Sequence, residues 1–143
     1  MNLLHYFEKN YKIVYLFAML ATALWVAYIK GWILAPFQSI SAEEALKLIK
    51  QKHYPIVDIR EAKAYKKGHI RGAISLPFSK LENGVKSLET YKKSKILIYS
   101  TTGREGIDAS RYLAKKGFKP INIKSGVLGL AIVGKNEPTL FEK

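Results

Sequence analysis

Between Lys12 and Lys30 the chain reads IVYLFAMLATALWVAYI, 17 residues without a charge. Apolar character resumes after Lys30 as GWILAPF, so the run from Ile13 to Ala35 covers 23 residues interrupted by one lysine. At about 1.5 Å of rise per residue, a helix of that length crosses a hydrocarbon core of about 30 Å. Nothing else in the 143 residues is apolar on a scale that would cover it inside a globule. The run therefore predicts one transmembrane helix over 13–35. Lys30 would snorkel along its own stem, and Tyr11, Tyr15 and Trp32 would lie near the two interfaces. A cleaved signal peptide would need small residues after the run. The only Ala-x-Ala pattern, Ala21-Thr22-Ala23, lies inside it, and Pro36 follows Ala35.

The organisation that follows is a flank over 1–12, the helix over 13–35, a short linker over 36–40 and a domain over 41–143. Lys9 and Lys12 precede the span, with Glu8 beside them, whereas Lys30, Lys47, Lys50 and Lys52 follow it. Counting Lys and Arg near the span favours a single-pass protein of the cell membrane with its C-terminal domain in the cytoplasm. The formal net charge is +13, from 24 Lys+Arg against 11 Asp+Glu, which suits a negatively charged partner. Roughly 21 of the basic residues lie beyond the span, where anionic lipid headgroups are the nearest such partner. Nucleic acid is not expected, because no reading motif or interleaved aromatic platform is present. The absence of cysteine excludes disulfides, thiolate metal sites and a cysteine nucleophile. His5 and His53 have no neighbouring ligands in sequence, so neither a metal nor another cofactor is expected.

From Ser41 the pattern alternates. Ser41-Ala42-Glu43-Glu44 is a capping box, and Ala42, Ala45, Leu46 and Ile49 share one helical face behind it. PIVDI (55–59) reads as a strand, residues 61–67 as a small helix stopped by Gly68, and GAISLP (72–77) as a second strand. Residues 78–91 read as helical with a break near Asn83-Gly84. KILIY (95–99) is the most apolar strand and therefore central. A helix with Ala109, Tyr112 and Leu113 facing inward ends at Gly117, PINI (120–123) is a last strand, and 126–133 a final short helix. This order predicts an α/β domain, a parallel sheet with helices on both faces.

Between the central strand and the next helix lies Ser100-Thr101-Thr102-Gly103-Arg104-Glu105-Gly106. A strand, a glycine-containing loop and a helix N-terminus form a cradle for an anion, because unpaired N–H groups and the helix dipole converge there. Ser100 occupies the first position, where such loops often carry a nucleophile. A hydrolase triad of Ser100, His69 and Asp58 has the residue types but lacks the Gly-x-Ser-x-Gly elbow. His69 reads instead as a structural hydrogen-bonder, and Asp58 and Arg60 as ties between a strand end and the following loop.

With the elements in this order, residues 40–140 resemble the rhodanese (sulfurtransferase) family. The landmarks are Asp58-Ile59-Arg60, Gly68-His69-Ile70 with Arg71-Gly72-Ala73, Leu76-Pro77, the loop Ser100–Gly106 and the turn Ser125-Gly126. The resemblance implies a rhodanese-like fold. In active members the loop begins with a cysteine that takes a sulfane sulfur as a persulfide and passes it to a thiophilic acceptor, its thiolate held by loop N–H groups. Here Gly103 keeps the loop glycine, but Ser100 stands at the cysteine position, and a hydroxyl cannot carry that sulfur. Thr101 replaces a frequently basic position and Glu105 one that is often positive or hydroxyl-bearing, and Glu105 competes with an anion for the same helix field. Ser125 and Leu130 replace a glycine and a tryptophan of the family. The expectation is a catalytically silent domain, a pseudoenzyme presented at the membrane to a protein partner or an anion, with Arg104 the loop residue suited to the latter. The alternative is a sulfurtransferase in which Ser100 substitutes the native cysteine.

Overall fold

The computed structural model describes residues 2–30 and 35–143, and the chain divides into two compact units after Ala35. In the first unit one helix, α1 (Leu3–Ile29), runs through the apolar stretch, and none of its residues is buried. It is long and apolar enough to cross a membrane. It begins well before Ile13, because Leu3, Leu4, Tyr6 and Phe7 extend the apolar surface toward the N-terminus. Asn10 interrupts it at φ −115°, ψ 19°, with its Nδ2 donating to the Tyr6 carbonyl at 3.0 Å. An amide that competes for a backbone acceptor is an ordinary cause of such a break. Thr22 folds its hydroxyl back onto the Ala18 and Met19 carbonyls at 3.0 and 2.8 Å, which hides its polarity within the helix. Residues 31–34, including Trp32 and most of the expected end of the span, lie outside the described residues.

The second unit opens with β1 (Gln38–Ile40), so the stretch read as a linker over 36–40 instead supplies an edge strand. Gln38-Ser39-Ile40 shows no apolar run of the kind that marks PIVDI, and only Ile40 of it is buried. Then come α2 (Ala42–Gln51), β2 (Ile56–Asp58), α3 (Ala62–Lys67), β3 (His69–Ile70), β4 (Ile74–Ser75) and α4 (Leu81–Gly84), the last flanked by two 3₁₀ segments. The chain continues through β5 (Lys95–Tyr99), α5 (Arg104–Lys115), β6 (Lys119–Ile123), α6 (Gly126–Val133) and β7 (Phe141–Glu142). Five strands form a parallel sheet in the order β1-β6-β5-β2-β4, with the apolar β5 in the middle. β3 and β7 form a separate antiparallel pair, so β6 is not the last strand. His69-Ile70 and Phe141-Glu142 lie in no apolar run that marks them, unlike β4 inside GAISLP.

Alternation along β5 sends Leu97 and Tyr99 to one face and Ile96 and Ile98 to the other. The first face packs Ile40, Ile121 and Ile123 beneath Ala42 and Ala45 of α2 and Leu130 of α6. The second packs Val57 and Ile59 beneath Ala109 and Leu113 of α5, with Leu81 and Leu88 closing the layer. The Ser41 hydroxyl caps α2 by accepting from the Glu44 N–H at 3.2 Å. Covering a parallel sheet on both faces is what lets its central strands be uniformly apolar. It also directs the C-terminal ends of β2, β5 and β6 toward one edge, where the loops meet.

Candidate functional site

Ser100 leaves β5 and is 1% exposed. Its Oγ accepts the Gly103 N–H at 2.9 Å, which closes the loop into a tight turn. Gly103 sits at φ +89°, and a Cβ there would lie 1.9 Å from the Lys124 carbonyl oxygen. Gly126 approaches from the other side at φ +56°, where a Cβ would lie 2.3 Å from the Ser100 carbonyl oxygen. Only glycine permits both contacts. The Val127 and Leu128 N–H groups then donate to the Ser100 and Thr101 carbonyls at 2.8 and 3.3 Å, so α6 clamps the loop's backbone.

The N–H groups of Thr101, Thr102, Arg104, Glu105 and Gly106 make no hydrogen bond among the described residues. They are the free donors at the start of α5. Thr101, Thr102, Arg104 and Glu105 are exposed, while Gly103 and Gly106 are buried. Glu105 lies in the first turn of α5 and puts a carboxylate where the helix field favours negative charge. Beneath the loop, buried Asn122 of β6 donates through Nδ2 to the Gly103 carbonyl at 3.4 Å, and its Oδ1 has no hydrogen-bond partner among the described residues. A Cβ at Gly106 would lie 2.1 Å from that Oδ1.

Asp58 and Arg60 form a separate, closed network. Arg60 Nη2 lies 2.7 Å from Asp58 Oδ2, Nε donates to both carboxylate oxygens, and Nη2 also donates to the Gly68 carbonyl at 2.8 Å. The Arg60 N–H adds a bond to Asp58 Oδ1 at 2.9 Å. Tyr99 donates its hydroxyl to Asp58 Oδ2 at 2.7 Å and accepts the Ile70 N–H at 3.2 Å. Burial works to lower the Arg60 pKa, but its bonds to Asp58 and the carboxylate's charge prevail and hold it above the usual range. Burial pushes the Tyr99 phenol far up, and the neighbouring carboxylate of Asp58 pushes the same way. Under ordinary conditions both groups stay protonated, and the network is a fixed strut.

His69 stacks on Tyr65, the ring centroids 3.7 Å apart, with Nδ1 3.0 Å from the Tyr65 carbonyl. Its Nε2 lies 3.4 Å from Glu142 Oε1. Ser100, His69 and Asp58 are thus committed to three different sets of partners, and no described hydrogen bond joins any two of them. Among the described residues no His, Asp or Glu is hydrogen-bonded to the Ser100 hydroxyl, as an activating base would be. The described residues also hold no cluster of metal-ligating side chains.

Tyr99, Asn122 and Glu142 belong to these arrangements but do not stand out in the sequence. The first two left a faint signal, a phenol at the end of an aliphatic strand and an amide inside PINI, since buried polar groups of that kind require partners.

A family model described as Rhodanese-like domain matches residues 41–130. The uncharacterized protein YibN of Escherichia coli is 30% identical over 128 residues, covering 83% of this chain and 88% of its own. Thiosulfate sulfurtransferase GlpE of Coxiella burnetii is 28% identical over 85 residues, covering 59% of this chain and 78% of its own. Among solved structures, a rhodanese-related protein from Thermoplasma volcanium superposes with a TM-score of 0.62 at 26% identity, covering 68% of this chain and 94% of its own.

Proposed function

The chain belongs to the rhodanese-like domain family, and from that premise we propose a membrane-anchored member whose domain binds a protein or an anion without transferring sulfur. One observation carries the reading: the loop's first residue is Ser100, buried and hydrogen-bonded to the Gly103 N–H, in a chain with no cysteine. Sulfane-sulfur transfer needs a thiolate that becomes a persulfide and then yields its outer sulfur. A serine hydroxyl offers neither the polarisable nucleophile nor a stable sulfur carrier. Glu105 in the first turn of α5 further disfavours anionic sulfur donors. What survives is the set of free N–H groups and exposed Arg104, which suit recognition. Anchoring is supported by the length and apolarity of α1. The lysines that follow the span favour a cytoplasmic domain.

A second reading, a sulfurtransferase with its cysteine substituted, draws on the intact loop donors and on the likeness to GlpE. One assay separates them. The full chain in detergent is expected to transfer no sulfur from thiosulfate or mercaptopyruvate to cyanide, and Ser100→Cys to gain weak activity. Adding Glu105→Arg is expected to raise turnover by more than the two single changes together, because both positions meet one ligand. Turnover by the serine protein would overturn the silent-domain reading. Full rescue by Ser100→Cys alone would favour the substituted enzyme and leave Glu105 without a part.

A further inference from the structure

Only three large apolar side chains of the domain are exposed: Phe78, Leu128 and Ile132. Two of them lie four residues apart on α6, at 53% and 76% exposure, and so share one helical face. The helix reads GVLGLAIV, without a polar side chain, yet only Gly126 and Leu130 are buried. A helix apolar all round is normally buried on all sides or surrounded by lipid. Exposed Lys124 precedes α6 and exposed Lys135 follows it. An apolar face between cations has the chemistry of a segment lying in the headgroup region of an anionic bilayer.

Three features bring that surface to α6. The Lys124 N–H donates to the Ile40 carbonyl at 3.0 Å, and a Cβ at Gly129 would lie 3.3 Å from that of Ala42, so α6 adjoins the segment where the chain enters the domain. Eight residues, 30–37, separate Ile29 from Gln38. Nine Cα steps of at most about 3.6 Å each limit the distance from Ile29 to Gln38 to about 32 Å. Finally, α2 carries Glu43 and Glu44 exposed in its first turn, so contact with anionic headgroups is expected along α6 and its lysines and not across α2.

We infer that the Leu128–Ile132 ridge of α6, with Lys124 and Lys135, docks the domain onto an anionic lipid surface. This rests on the membrane-anchored reading. Because α6 clamps the Ser100 and Thr101 carbonyls, docking sets the loop at the level of the headgroups, facing partners that are themselves at the membrane.

The chain's lack of cysteine makes the test direct. Ile132→Cys in the full chain carries a nitroxide, as does Thr90→Cys, a control in the 3₁₀ segment Val85–Tyr91 that covers the opposite face of the sheet. Both are reconstituted into phosphatidylcholine vesicles with and without phosphatidylglycerol as a minority lipid. In the anionic vesicles the label at 132 is expected to be relaxed by oxygen more than by an aqueous nickel chelate, with the reverse order at 90. Lys124→Gln and Lys135→Gln should each lower the docked-to-free ratio about fivefold. A label at 132 as water-accessible as that at 90 overturns the inference, as does protection that disappears when protein is diluted in lipid, which would assign the ridge to a second copy. Flotation of the same vesicles after alkaline carbonate keeps the two readings apart. A chain that floats with an aqueous label at 132 defeats the docking alone, and a chain that does not float defeats the anchor.

Discussion

Tyr99 and Ser100 are consecutive residues with opposite surroundings. Tyr99 uses its hydroxyl twice, toward Asp58 and from Ile70, inside a network where the Arg60 guanidinium lies 5.4 Å above its ring. Ser100 begins a loop in which, among the described residues, most N–H groups are unengaged and Asn122 Oδ1 beneath has no hydrogen-bond partner. One side of the peptide bond is a finished structural joint, and the other opens onto exposed Thr101 and Thr102. The contrast teaches that strut and loop are built independently, since among the described residues the strut makes no hydrogen bond to the Ser100 side chain. Asp58, Arg60 and Tyr99 secure β2, β3 and β5 whatever stands at position 100.

The most damaging way to break the contrast is Asp58→Ala. It strands the Arg60 guanidinium, whose side chain is only 10% exposed, without its charge partner. Removing one member of a buried pair costs about 3–5 kcal/mol. Ser100→Ala deletes only an acceptor for the Gly103 N–H and is expected to cost about 1–2 kcal/mol. Chemical denaturation of the two full-chain variants in the same detergent measures both. Equal losses would mean that the loop is as structural as the network.

How far the sequence exposes this arrangement differs between the two regions. The loop was legible because glycines at 103 and 106 and a helical pattern behind them mark a strand–loop–helix, and the structure puts the N-terminus of α5 at Arg104. The central position of β5 and the final helix 126–133 were legible for the same reason: each is a run long enough to show a pattern. The closed network was legible only in part. Asp58 and Arg60 are two residues apart, whereas Tyr99 reaches Asp58 across 41 positions. No local pattern records a contact of that separation. β1, β3 and β7 escaped for a related reason: unlike the equally short β2 and β4 within PIVDI and GAISLP, they lie in no apolar run and owe their existence to the partner they pair with.

The open side breaks at Gly103. Gly103→Ala combines a left-handed backbone with a Cβ 1.9 Å from the Lys124 carbonyl, a backbone atom that cannot swing aside. Strain of that kind costs about 1–3 kcal/mol and should push the loop away from α6. Gly72→Ala sharpens the result, because Gly72 is also left-handed, at φ +73°, but a Cβ there meets nothing within 4 Å. It should lose only the conformational cost, about 1 kcal/mol. If Gly72→Ala proves as damaging as Gly103→Ala, the close approach of loop and α6 contributes nothing.

The smallest effect is expected at the outer rim of the closed region, where β7 pairs with β3. Glu142 Oε1 accepts the Gly72 N–H at 2.9 Å, His69 Nε2 stands 3.4 Å from the same oxygen, and Arg71 Nε stands 3.9 Å from Oε2. The Gly72 bond holds the Glu142 pKa below the usual glutamate range, partial burial opposes it, and the neighbouring His69 and Arg71 lower it further. A carboxylate whose folded-state pKa is depressed contributes stability that is complete above its ordinary pKa and lost as pH falls through the lowered one. Acidification through that window should therefore loosen β7 first. Amide exchange at Arg71, whose N–H donates to the Leu140 carbonyl at 2.9 Å, reports the opening. Opening free energies from exchange, with the intrinsic pH dependence of the amide removed, should fall with acid in the native chain and stay level in Glu142→Gln. The Ile59 N–H, bonded to the Tyr99 carbonyl at 3.1 Å, should remain protected in both. Simultaneous loss at Arg71 and Ile59 would show that the clasp and the strut unfold as one unit, and that the closed region has no separable rim.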